Sequence, residues 1–120
     1  MDNKKFAAEL EERTKQFAIN IIRLCSILPN STEAIVLRRQ LVKSGTSIGA
    51  NYREANRARS KADFKSKIRI CESEASETQY WLEILKDLKW LPDSRMKEIF
   101  LESKELLAIF STIGAKLNRK

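Results

Sequence analysis

The chain has 120 residues, of which 42% are apolar and 32% charged, and its formal net charge is +7. That length implies a single domain, and three glycines with two prolines are too few to turn a sandwich or barrel, so the expected class is all-α. The absence of histidine excludes the Glu-x-x-His chemistry of di-metal bundles and any nucleophile that needs an imidazole base, while the positive balance favours polyanionic partners.

The start, Met1 to Phe6, has no apolar signal core, and the longest unbroken apolar run is only Leu106 to Phe110. A cytoplasmic protein with no membrane segment is therefore expected. Cys25 and Cys71 each stand alone on an apolar helical stripe, the pattern of buried, reduced thiols rather than of a zinc site. No cofactor and no metal are expected.

The first helix is predicted over residues 3–28, because Phe6, Leu10, Phe17, Ile21, Leu24 and Leu28 recur at the three-and-four spacing of one face. Arg13 or Thr14 interrupts that stripe, and Pro29 stops the helix. A second helix is predicted over 31–59. Asn30 or Ser31 serves as its cap, and Glu33, three residues after Asn30, fits a capping box. Leu37, Leu41, Ser44, Ile48, Tyr52 and Ala55 form its stripe, widened by Val42, Gly45 and Gly49. Small residues at Gly45, Ser47 and Gly49 reduce helix propensity and make sense where another backbone comes very close. The Gly45-x-x-x-Gly49 spacing also occurs in membrane helix dimers, but Arg38, Arg39, Lys43 and Arg53 on the same helix exclude a lipid setting.

No glycine or proline separates the second helix from the third. Ser60, followed three residues later by Asp63, is the only start signal for a third helix over 61–90. Phe64, Ile68, Cys71, Ala75, Thr78, Leu82, Leu85 and Lys89 make its main stripe. Ile70, Glu74, Glu77, Trp81, Ile84 and Leu88 make an adjacent one. Leu91-Pro92-Asp93-Ser94 echoes Leu28-Pro29-Asn30-Ser31 and should cap a fourth helix over 94–118, whose inner face carries Met96, Ile99, Phe100, Leu106, Leu107, Phe110, Ile113 and Leu117. Four long helices with short connections predict an up-down-up-down antiparallel four-helix bundle.

Two polar features stand out. Asn51 and Glu54 on the second helix, with Glu74 and Glu77 on the third, fall on buried-looking stripes and are expected to hydrogen-bond across the helix pair, since buried polar groups need partners, with a ligand or oligomer contact as the alternative. The three glutamates lack the pocket and partner an acid/base pair requires, and a non-enzymatic protein is expected. The sharper feature is charge. Residues 53–69 hold seven basic side chains, Arg53, Arg57, Arg59, Lys61, Lys65, Lys67 and Arg69, against Glu54 and Asp63, a local +5 out of the total +7. Such a cluster attracts phosphate backbones with marked salt dependence and without reading sequence, and Arg38, Arg39 and Lys43 can extend it. Binding of RNA or DNA is the leading expectation. An adaptor docking an acidic protein partner is the alternative.

Ser47-Ile-Gly-Ala-Asn-Tyr-Arg-Glu-Ala55, Arg59-Ser-Lys-Ala-Asp-Phe64 and Glu74-Ala-Ser-Glu-Thr-Gln-Tyr-Trp-Leu82 together resemble the S23-type proteins encoded by intervening sequences of bacterial 23S ribosomal RNA genes. Ser47, Asn51, Glu54, Glu77 and Trp81 match that family's signature. The resemblance implies a four-helix bundle associating as a ring-shaped homopentamer. It also implies kinship with the accessory variability protein of diversity-generating retroelements, which binds nucleic acid and a reverse transcriptase. The motifs carry no catalytic chemistry.

Overall fold

Four helices account for nearly all of residues 3–118, the part that the computed structural model describes. They are α1 (Asn3–Ser26), α2 (Thr32–Ala55), α3 (Lys61–Leu88) and α4 (Asp93–Leu117). Connections of four or five residues leave consecutive helices no geometry but antiparallel packing. Each helix packs broadly on the next, and α4 closes more thinly back onto α1, giving an up-down-up-down bundle 47 Å long and 25 by 21 Å across. The α1–α2 and α3–α4 connections lie at one end. The α2–α3 connection lies at the other, beside the start of α1 and the end of α4.

The core follows the predicted stripes. Phe17, Ile21, Leu41, Ile48, Ile68, Leu82, Leu85, Met96, Leu106 and Phe110 are fully enclosed, and Tyr52 meets Phe110 edge-to-face at 5.5 Å. Thr14 fills the break in the α1 stripe. Its hydroxyl donates to the Leu10 carbonyl at 2.9 Å, and Ser44, Thr78 and Ser103 bond to carbonyls of their own helices in the same way. A hydroxyl that returns to its own backbone can be buried without a cross-helix partner. Phe6, Ile70 and Leu88, placed on apolar stripes by their spacing, are instead exposed.

The glycines explain how closely α1 meets α2. A Cβ on Gly45 would lie 3.0 Å from both γ carbons of Ile21, and one on Gly49 would lie 2.9 Å from the Thr14 hydroxyl and 3.4 Å from its backbone carbonyl carbon. Ser47, between them, is half-buried and donates to the Lys43 carbonyl at 2.6 Å. The α1/α4 seam is held differently. Arg13 clasps Glu102 with two bonds of 2.6 and 2.7 Å and reaches Glu105 at 3.3 Å, and the hydrogen bond to Glu102 raises its pKa above the usual guanidinium value.

Several helix ends depart from expectation. α1 stops at Ser26 because Pro29 biases Leu28 away from helical backbone, and the Ile27 and Leu28 amides bond only three residues back. α2 stops at Ala55, four residues early: the Asn56 amide still bonds to Tyr52, those of Arg57 and Ala58 tighten to three-residue bonds, and Ser60 then turns extended. Ser60 accepts the Asp63 amide at 3.0 Å and caps α3. At α2 the cap is Ser31, which accepts from Ala34 at 3.1 Å, so the Asn30–Glu33 capping box does not form. α4 begins at Asp93 behind Pro92 with no side-chain cap, so its start only superficially echoes that of α2. α3 ends at Leu88 with Lys89 in left-handed backbone (φ 59°). Lys89 also reaches Asp93 at 3.5 Å.

Candidate nucleic-acid interface

The seven basic residues between Arg53 and Arg69 lie where α2 turns into α3, but the fold divides them. Arg53 faces α1, 3.7 Å from Glu11, and Lys67 faces α2, 3.5 Å from Glu54. Both are partly neutralised. Arg57 and Arg59 in the connection and Lys61 at the first turn of α3 are exposed, and none of their side chains forms a hydrogen bond or ion pair among the described residues. Lys65 and Arg69, also unpaired, flank the groove between α3 and α4 together with Glu72, Ser111, Gly114 and Asn118. The chemistry left to the tip is therefore three free cations, with two more leading into a groove.

That tip is held firmly. Asn56 donates to the Glu11 carboxylate at 2.9 Å, Ser60 caps α3, and the Asn56 amide bonds to Tyr52. Exposed long side chains on a fixed backbone can follow a phosphate backbone without ordering a loop first.

The supporting cations sit elsewhere. Arg38 has a structural role: its guanidinium donates to the carbonyls of Cys25 at 3.1 Å, Leu28 at 3.3 Å and Pro29 at 3.2 Å, closing the end of α1. Orphan carbonyls at a helix terminus need such donors. Arg39 is exposed, but it lies 18 residues before Arg57, about 27 Å away along α2. Lys43 lies close enough to Glu74 to act on its charge.

The predicted polar network across α2 and α3 does not form as expected. Glu54 and Glu77 are exposed; Glu54 pairs with Lys67, and Glu77 accepts from the indole N–H of Trp81 at 3.3 Å. Asn51 is half-buried and turns back to the Ser47 carbonyl at 2.8 Å. Glu74 is also half-buried. Desolvation and the nearby Glu77 raise its pKa, while Lys43 and the Ser47 hydroxyl draw it partly back. The contacts of this set that do cross the helix pair are those of Glu54 with Lys67 and of Glu74 with the Ser47 hydroxyl.

Burial pushes the Cys71 thiol up to about 12 and the Cys25 thiol up to about 11, with Arg38 opposing the second shift. Neither thiol is a nucleophile at neutral pH. Among the described residues no three ligating side chains gather where they could hold a metal ion, and no helix is long and apolar enough to cross a membrane. One exposed aromatic escaped the sequence reading. Tyr80 is 55% exposed on α3, edge-to-face with Trp81 at 5.1 Å. Its signal was that it falls off both apolar stripes, behind Ser73 and Ser76.

A small basic antiparallel bundle with free cations at its α2–α3 turn is the class of protein that fold and surface define. The description of 23S rRNA-intervening sequence proteins matches residues 8–112, and the chain belongs to that family. A crystal structure of a protein of unknown function from the S23 ribosomal protein family of Bacteroides thetaiotaomicron VPI-5482 has the same fold, with a TM-score of 0.82 and 36% sequence identity. The match covers 91% of this chain and 97% of that one. No curated protein matches the chain.

Proposed function

We propose that this chain is a non-enzymatic, oligomeric bundle of the cytoplasm that binds RNA or DNA through phosphate contacts. Arg57, Arg59 and Lys61 make the primary contacts, and Lys65 and Arg69 extend them. The observation that carries this reading is the set of unpaired cations on a rigid turn. Arginine at two of the three tip positions favours phosphate recognition over mere solubility, because its planar fork matches phosphate oxygens. Contacts from arginine and lysine side chains to phosphates follow the backbone and not base identity.

Association into a homopentamer, which the family resemblance implies, would repeat the cluster around a ring and strengthen its field. A reverse transcriptase-like protein partner would then be a further occupant.

Fluorescence anisotropy with a short RNA hairpin, alongside light scattering of the native particle, tests this reading. Five phosphate contacts per chain should weaken binding about 10²–10³-fold between about 50 and 200 mM salt. An oligomer that ignores RNA and DNA at the lower salt, yet binds an acidic protein, would replace this reading with the adaptor.

A further inference from the structure

Lys65 and Arg69 continue away from the tip into the groove between α3 and α4. Its first part, about 220 Å³, is lined by Lys65, Arg69, Glu72, Ser111 and Gly114. A second part of about 700 Å³ shares Arg69, Glu72 and Ser111 and adds Ser73, Ser76, Glu77, Leu107 and Tyr80. The two depressions adjoin through these shared residues, the first lying among free cations and the second reaching an exposed tyrosine. Arg69 and Tyr80 are eleven residues apart on one helix, about 16 Å, or roughly five nucleotides at a stacked rise of 3.4 Å.

We infer that this groove is a single-strand nucleic-acid site, in which phosphates engage Lys65 and Arg69 and a base stacks on Tyr80. The inference rests on the nucleic-acid reading above and deepens it by naming the form of the ligand. A positively charged entrance followed by an aromatic face is the arrangement by which proteins hold unpaired strands, because every base has a π-face to offer and a duplex does not. The Tyr80 ring is held in place for stacking, since Trp81 meets it edge-to-face and Glu77 in turn anchors Trp81 through the indole N–H.

Two carboxylates lie in the groove and constrain the path. Glu72 accepts from the Ser111 hydroxyl at 2.8 Å and bridges α3 to α4, and Glu77 accepts from Trp81. Phosphates must therefore avoid the middle of the groove. Sugar hydroxyls and the amino groups of bases, which donate to carboxylates, are the parts of a strand that fit there.

The test compares wild type, Tyr80→Ala and Tyr80→Phe against a fluorescent oligoadenylate of about twelve nucleotides and against duplex RNA. Tyr80 is exposed, so neither variant disturbs the core. Tyr80→Ala should weaken single-strand binding roughly tenfold and leave duplex binding unchanged, while Tyr80→Phe should retain both. Unchanged single-strand affinity in Tyr80→Ala overturns the groove assignment and leaves the tip reading intact. Equal weakening for single strand and duplex also overturns it, because stacking cannot act on a paired base. If wild type binds neither probe, both readings fall together.

Discussion

The two ends of the bundle use basic residues in opposite ways. At the end with two connections, Arg38 donates into three carbonyls that α1 and its turn leave open, and residues 86–98 hold four basic side chains against three acidic ones. At the other end, residues 53–69 hold seven against two, and Arg57, Arg59 and Lys61 touch no acceptor among the described residues. One end closes the fold, and the other presents charge that the fold does not use. Proximity in sequence is therefore a poor guide to what a cation does, whereas the acceptors within its reach are a good one.

The most demanding test of this contrast is Arg38→Ala beside Arg57→Ala. Loss of Arg38 should destabilise the protein by about 1–3 kcal/mol, since it leaves several carbonyls without their charged donor, and nucleic-acid affinity should hold. Loss of Arg57 should change stability by no more than about 0.5 kcal/mol and reduce affinity. Denaturant melts and anisotropy read both. Thiol labelling adds position: Arg38→Ala should speed modification of Cys25, at the closed end, more than that of Cys71, whose thiol lies against the Ile48 carbonyl at 3.5 Å. Equal acceleration of both cysteines would mean that Arg38 supports the whole fold and not one end.

A smaller effect is expected between the ends. Glu74 has its pKa raised in the folded state, so the native protein holds this proton to higher pH than the unfolded chain does. Its contribution to stability is present below the unfolded carboxyl value, about 4.3, and is lost as pH rises through the folded value. Glu74→Gln should therefore stabilise the protein modestly at pH 7 and give no gain near pH 3.5. Thermal melts at the two pH values check the sign, and a loss at pH 7 would show that the contact with Ser47 outweighs desolvation.

Much of the architecture was legible in the sequence because it rests on local chemistry. The stripes through Phe17, Ile48, Ile68 and Phe110, the stop at Pro29 and the cap at Ser60 each depend on residues within one helix or turn. What escaped depends on contacts that sequence spacing does not report. Arg38 reaches back 13 residues to Cys25, and Arg13 meets Glu102 across 89 residues. The early end of α2 escaped too, because nothing between Ala55 and Ser60 marks a stop, and the turn is set instead by two tightened backbone bonds, from Arg57 and Ala58. Glu54 and Glu77 were misplaced by one stripe, the error expected when a wide apolar face leaves two packing directions open. The charge of the interface was plain from composition, whereas its division among a free tip, two neutralised flanks and a groove required the fold.

The most direct measurement is the salt dependence of RNA binding for two triple variants with the same net charge. One neutralises Arg57, Arg59 and Lys61, and the other neutralises Arg23, Arg95 and Lys97 at the closed end, each residue to glutamine. The tip variant should lose most of its low-salt affinity, and the slope of log K against log salt should fall by about 3. The closed-end variant should keep a nearly wild-type slope. Equal losses in the two would show that net charge alone attracts RNA and would contradict a site at the α2–α3 turn.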